Sequence, residues 1–179
     1  MANTLAMTEI EPEIRNEWIP AFESNPDETK DKLYVNVAFP YPSGAMHVGH
    51  GRTYIIPDVV ARFWRMQGKQ VLFPMAFHVT GAPVLGIAKR IANKDQKTLK
   101  LYGELYRVPK ETLANFTDPI TIVNYFADEY ERVMKQLGLS IDWRRRFTTI
   151  IPQYSKFIEW QYTHIYGQGK VQKGEYPVR

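Results

Sequence analysis

The chain has 179 residues, 23 Lys plus Arg against 19 Asp plus Glu, a formal net charge of +4 and 44% hydrophobic residues. That is one domain, or one with a small appendage, with enough apolar side chains for a core, which excludes a mostly disordered chain. Zero cysteines exclude a disulfide framework, a cysteine zinc site and thiol catalysis.

Ile10, Ile14 and Trp18 stand four apart and predict a short amphipathic helix at the N-terminus. Ser24 to Lys32 is polar and turn-rich, a loop. LYVNVAF, Leu33 to Phe39, alternates like a strand and runs into the loop PYPSGAMHVGHG. A helix is expected from about Met46 to Met66, kinked or restarted at Pro57, with Gly68 beyond its end. KQVLFPMAF reads as a second buried strand ended by Pro74, so residues 33–74 spell one parallel βαβ unit. A helix follows at Pro83 to Asn93, then short helices and loops over 95–117. Asp118-Pro119 pairs an N-cap with an N1 proline and opens a helix to about Leu137. Its expected inner face is Ile122, Phe126, Tyr130, Val133 and Leu137. Pro152 opens a last helix to about Tyr166, whose aromatics are expected in the core, and Val171–Val178 is a candidate strand.

No run approaches the ~18 apolar residues of a membrane span. No charged segment followed by an apolar stretch opens the chain, so no secretory signal is expected and a cytoplasmic address fits. The mild positive charge permits a nucleic-acid partner without demonstrating one. Arg144-Arg145-Arg146 reads as solvated surface, with contact to nucleic acid as the alternative. Asp142-Trp143 reads as a turn anchored by a buried Trp.

The chemistry concentrates in FPYPSGAMHVGH, Phe39 to His50. It lies past the carboxyl end of a strand and at the start of a helix, where parallel sheets bind ligands. His47 and His50 share the first helical turn, beside unpaired N–H groups and partial positive charge that suit phosphate. Two imidazoles there can donate to charge developing on a phosphoryl group in flight. Pro42 to Ala45 form the turn that admits a nucleotide, and Gly49 leaves room for a flat base against the backbone. Alone, His-x-Gly-His is a modest signal, because two histidines at a helix start can simply satisfy local polar groups. Its place between strand and helix is the context that strengthens it.

FPYPSGAMHVGHGRTYIIPDVVARFWRMQG resembles the first signature region of class I aminoacyl-tRNA synthetases. Its Phe-Pro-Tyr-x-Ser-Gly lead-in is similar to the leucine-specific branch, and VLFPMAFHVTGAPVLGIAKRI to that branch in archaea and the eukaryotic cytosol. LGLSIDWRRRFTTIIPQYSKFIEWQYTHIYGQGKVQKGEYPVR resembles the stretch leading to the family's inserted editing domain. The resemblance implies an α/β fold: the first half of a Rossmann-type catalytic domain over 32–179, preceded by a helix and loop over 1–31. It implies that His47 and His50 bind ATP and stabilise the adenylation transition state. It places Phe39, Pro40, Tyr41, Pro42, Ser43, Gly44 and Gly49 with them around ATP, and Phe39, Tyr41 and His78 around leucine. Bacterial enzymes of the family carry aspartate where His78 stands, so the Phe39 carbonyl is the candidate acceptor for the leucine ammonium group.

The implied reaction is leucine activation by ATP, accompanied by Mg2+, and transfer to tRNA(Leu), with no protein-bound metal in this part. The implied partners are leucine, ATP, tRNA(Leu) and the remainder of the synthetase, and no membrane. No Lys-Met-Ser-Lys-Ser run, which neutralises pyrophosphate in the family, occurs in this sequence. The chain by itself is therefore expected to be inactive, and to self-associate through an unpaired apolar sheet edge. A related isoleucine, valine or methionine enzyme, or a split subunit acting with a partner chain, are the alternatives.

Overall fold

The computed structural model describes residues 7–25 and 27–175. Helix α1 spans Met7–Ala21. Its Trp18 stays 45% exposed, while Ile10, Ile14 and Ile19 are half-buried, and cations contact the end of the helix and the residue just beyond it. The Arg62 guanidinium lies 5.8 Å from the Trp18 ring centroid and 5.0 Å from that of Phe22, and Arg65 lies 5.2 Å from Phe22.

The expected βαβ unit is present. Strand β1 (Lys32–Tyr34) pairs parallel with β2 (Gln70–Leu72), Leu33 opposite Val71, and α2 (Val48–Met66) makes the crossover. The strands are shorter than expected, and KQVLFPMAF is two pieces. Strand β3 (Ala76–Phe77) pairs parallel with β4 (Phe147–Thr148). Pro74 interrupts the segment, because it has no N–H to donate to a ladder. Isolated bonds carry the three-segment arrangement past the proline. Val35 N–H donates to the Leu72 carbonyl at 2.9 Å, His78 N–H to Pro40 at 2.9 Å, Asp142 N–H to Phe73 at 2.8 Å and Thr149 N–H to Phe77 at 3.1 Å. Residues 70–79 are thus the middle segment, with 32–41 on one side and 142–149 on the other. Phe73, Met75 and Phe77 on it are fully buried.

Helix α2 runs through Pro57 without restarting there. The carbonyl that Pro57 leaves without its helical partner belongs to Thr53, which is exposed. Gly68 takes φ +82 after the helix end, as expected of a C′ residue. Asp58, buried on α2, accepts from the N–H and hydroxyl of Ser140 and from Arg62 Nε at 2.8 Å. Arg62 also donates to the Gly138 carbonyl, and Arg65 to Ser140. The helix is thereby tied to the segment that enters β4.

Helix α3 spans Ala82–Ala92 and α4 spans Gln96–Lys100, followed by a π-helical turn at Leu101–Leu105 and by α5 (Lys110–Ala114). Helix α6 (Pro119–Gln136) starts as expected, with the Asp118 carboxylate accepting from the N–H groups of Ile120 and Thr121. Its inner face is Ile122, Val123, Phe126, Ala127, Tyr130 and Met134. Val133 is only half-buried and Leu137 is exposed, because the stripe turns toward Met134 at its end.

Two expectations are corrected and a third is refined. Helix α7 (Pro152–Gly167) has no buried residue; Phe157, Trp160, Tyr162 and Tyr166 are exposed, Trp160 by 60%. The turn at 142–143 is anchored by its aspartate and not by its tryptophan. Asp142 is fully buried and accepts from Ser24 N–H and from Arg144, whereas Trp143 is half-buried. Burial pushes the Asp142 carboxyl up, but the bonds from Arg144 and Ser24 outweigh it and hold it below the ordinary value. The three arginines keep the surface position expected of them, Arg144 and Arg145 being exposed and Arg146 half-buried, but each is paired. Arg144 and Arg145 pair with Asp142, and Arg146 bonds Glu131 and Asp128 at 2.6 Å each.

Residues 171–175 carry no strand, and the rest of the Val171–Val178 candidate lies outside the described residues. The exposed apolar surface sits on helices, α7 and the outer face of α2 (Ile56, Val59, Phe63, Met66), more than at a sheet edge. No described helix is long and apolar enough to cross a membrane.

Candidate active site

The start of α2 is built from imidazoles. His47 is the N-cap residue, in extended conformation at φ −129, ψ 172. Its Nδ1 accepts from Gly49 N–H at 3.1 Å, and His50 Nδ1 accepts from His47 N–H at 3.2 Å. This is a reciprocal capping box in which two histidines do what Ser/Thr and Glu/Gln usually do. The rings lie 4.0 Å apart.

The chemical consequence follows from the acceptor roles. An imidazole that accepts at Nδ1 carries its proton on Nε2 when neutral, so both histidines keep Nε2–H as a donor. Neither Nε2 has a hydrogen-bond partner among the described residues. The His50 pKa lies below its ordinary value, first because burial disfavours the charge and second because of His47. The Tyr130 ring packs on His50 at 5.3 Å and Tyr54 at 6.5 Å.

Gly49 answers to this arrangement directly. A Cβ there would stand 2.9 Å from His47 Cε1. Gly49→Ala is therefore expected to displace the ring and lose the cap bond. Ala is the better helix former by about 1 kcal/mol, yet the melting temperature should not rise. A rise of several degrees would show that the His47 ring is not held as described.

Both histidines open onto a cavity of about 480 Å³, within the range of small-molecule sites. Of the residues anticipated from the sequence, Tyr41, Ser43, Gly44, His47 and His50 line it. Phe39, Pro40, Pro42, Gly49 and His78 do not. Pro40 and Pro42 are buried beneath the loop, and Phe39 sets its ring edge-on against Phe147 at 5.5 Å. His78 is exposed, 5.5 Å from the Tyr41 ring, with its Nε2 3.5 Å from Thr80 Oγ1. Tyr41 stands between the two groups and donates its hydroxyl to the Gly81 carbonyl at 3.3 Å.

The far wall was not anticipated. It is Arg90 from α3, Thr98 from α4, Tyr102 and Tyr106 at the π-turn, and Tyr130 from α6. Arg90 makes no ion pair among the described residues and is the cavity's cation. Burial pushes the Tyr102 and Tyr130 hydroxyls up to about 12, so both remain donors at neutral pH. Only Tyr130 belonged to a sequence pattern, as one position of a helix stripe.

A loop after a parallel strand, a histidine-capped helix and a cavity over both define an α/β fold of Rossmann type. Residues 15–179 match the family of class I tRNA synthetases for isoleucine, leucine, methionine and valine, and the chain belongs to that family. Within it, the chain is similar to leucine–tRNA ligases. That of Methanopyrus kandleri is 59% identical over 165 residues, 91% of this chain and 17% of that protein. That of Methanothermobacter thermautotrophicus is 56% identical over 173 residues, 96% and 18% respectively. The chain thus spans 17–18% of the length of these relatives. The crystal structure of the Agrobacterium radiobacter K84 agnB2 LeuRS–tRNA–LeuAMS ternary complex matches with a TM-score of 0.66 and 25% identity, over 89% of this chain and 17% of that one.

Proposed function

We propose that this chain supplies the histidine side of the adenylate-forming site of a leucine–tRNA ligase. The observation that carries the reading is the paired imidazole cap, with both Nδ1 atoms occupied and both Nε2–H groups kept as donors, at the wall of the cavity. A leucine carboxylate oxygen attacks the α-phosphorus of ATP, and the bond to the β-bridging oxygen breaks. Pyrophosphate leaves with the electron pair, and leucyl-adenylate remains. Negative charge grows on the α-phosphoryl oxygens in flight, and fixed donors aimed at it lower the barrier without reorganising. Mg2+ arriving with ATP offsets charge on the polyphosphate. A terminal ribose hydroxyl of tRNA(Leu) then attacks the adenylate carbonyl, and AMP departs.

Leucine is placed beside Tyr41 and His78. The Phe39 carbonyl accepts no hydrogen bond among the described residues and suits the ammonium group. Arg90 gives the cavity a guanidinium for an anionic group.

The test is leucine-dependent ATP–pyrophosphate exchange. A chimera carrying residues 15–179 in place of the matching segment of the Methanopyrus kandleri relative should catalyse it. The 179-residue chain alone should not, because it encodes no Lys-Met-Ser-Lys-Ser run. A chimera that prefers isoleucine, valine or methionine would overturn the leucine assignment. Exchange by the chain alone would overturn the need for a second phosphate-binding element.

A further inference from the structure

Residues 96–114 fold over the nucleotide loop in short pieces, and the turn among them is unusual. Tyr106 N–H donates to the Leu101 carbonyl, five residues back, at 3.0 Å. A π-turn of this kind widens the helix and re-aims its side chains, and such turns concentrate at functional sites. Here it aims two tyrosines at the same loop. Tyr102 is 3% exposed, and its hydroxyl donates to the Ser43 carbonyl. Tyr106 covers the next residue: a Cβ on Gly44 would stand 2.8 Å from Tyr106 Cε2. The two rings meet edge-to-face at 5.1 Å, and Phe126 of α6 backs them at 5.8 Å and 6.0 Å.

The loop needs such a clamp. Pro40 and Pro42 fix their own φ, and the Ser43 N–H already donates to the Tyr41 carbonyl at 2.8 Å. The remaining freedom sits at Ser43 and Gly44, and glycine is the loosest joint a chain can have. A hydroxyl on the Ser43 carbonyl and a ring over Gly44 remove it.

We infer that Tyr102 is a positioning residue, which holds the Ser43–Gly44 backbone in the shape that admits the ATP polyphosphate beside His47 and His50. This rests on the ATP reading proposed above. Tyr102 touches the loop and acts through it, so its loss should be felt in ATP capture more than in the chemical step. A loop left to order itself on binding weakens affinity by the cost of that ordering.

Tyr102→Phe removes the hydroxyl and keeps the ring in its aromatic cluster. In the chimera, KM for ATP should rise about five- to tenfold, the weight of one neutral hydrogen bond, with kcat within about twofold. In the 179-residue chain, amide hydrogen exchange at 43–45 should quicken about tenfold or more, with α6 amides unchanged. An unchanged KM for ATP would overturn the inference, as would equal losses in kcat and KM with exchange quickened throughout α6. A wild-type chimera without leucine-dependent exchange would instead overturn the ATP reading and the role in ATP capture with it. The amide exchange would still decide whether Tyr102 holds the loop.

Discussion

His47→Asn and His50→Gln, each in the chimera, are expected to lower kcat for leucine-dependent ATP–pyrophosphate exchange by about 10²–10³-fold, with KM for ATP moving less than about fivefold. Removing one preorganised donor from developing charge costs about 3–4 kcal/mol of barrier. The substitutions are chosen by the cap. Asn is among the best N-cap residues, and Gln at the third helical position is a natural back-bonding partner, so each keeps the helix start while deleting an imidazole. A fold lost in either variant would show up as a drop in melting temperature. Equal losses in kcat and ATP affinity would sink the transition-state role.

The same geometry sets a pH dependence. Burial disfavours the His50 imidazolium, and the neighbouring His47 adds to the effect, so the folded state holds His50 below its ordinary 6.5. Protonation would also place a proton on the Nδ1 that accepts from His47 N–H. The unfolded chain binds the proton first as pH falls. The stabilisation is complete above 6.5 and is lost as pH falls through the lowered value. His50→Gln should flatten that part of the stability profile.

What the sequence could and could not reveal follows from distance along the chain. The histidine loop was legible because strand, turn and helix start are contiguous, and that pattern reaches Tyr41, Ser43, Gly44, His47 and His50 on the cavity wall but not Phe39, Pro40, Pro42, Gly49 or His78. The α6 cap at Asp118-Pro119 was legible for the same reason. The cavity's opposite wall was not. Tyr102 bonds a carbonyl 59 residues away, and no local period announces such a partner. The reciprocal histidine cap was equally hidden, because imidazoles are not the residue types by which a capping box is recognised. In α7, apolar residues stand at 154, 157, 158, 160, 162, 165 and 166 and so surround the helix. Without a single dominant stripe the pattern does not announce that only Tyr154 and Ile165 are half-buried and the others exposed. The pairing of Arg146 was hidden because Asp128 and Glu131 come from the middle of α6, whereas Arg144 and Arg145, exposed as read, pair with the nearby Asp142.

The second large effect is expected far from the chemistry, at Asp58. One Asp58 oxygen accepts from the N–H and hydroxyl of Ser140, and the other from Arg62. Asp58→Ala leaves a buried N–H and hydroxyl without an acceptor and frees a guanidinium that also reaches Gly138. Orphaning a buried polar group costs about 1–3 kcal/mol and breaking a buried pair about 3–5 kcal/mol. Arg62 keeps a third of its side chain in solvent, which discounts the second figure, so the expected loss is about 2–4 kcal/mol. For a domain of this size that is a fall in melting temperature of about 5–15 °C. Asp58→Asn retains an oxygen for Ser140 but turns an NH2 donor toward Arg62 Nε in place of the accepting oxygen, so it should cost less than the alanine and still lose the Arg62 bond. The consequence reaches the site, because α2 carries His47 and His50 at one end and is anchored by Asp58 at the middle. A helix released there should tilt its histidine cap relative to the fixed Tyr102–Ser43 clamp. The Asn variant, folded at the assay temperature, should therefore retain ATP affinity and lose adenylation rate by a few-fold. A melting temperature for Asp58→Ala within a degree of the parent would show that Ser140 and Arg62 find water as readily as they find Asp58.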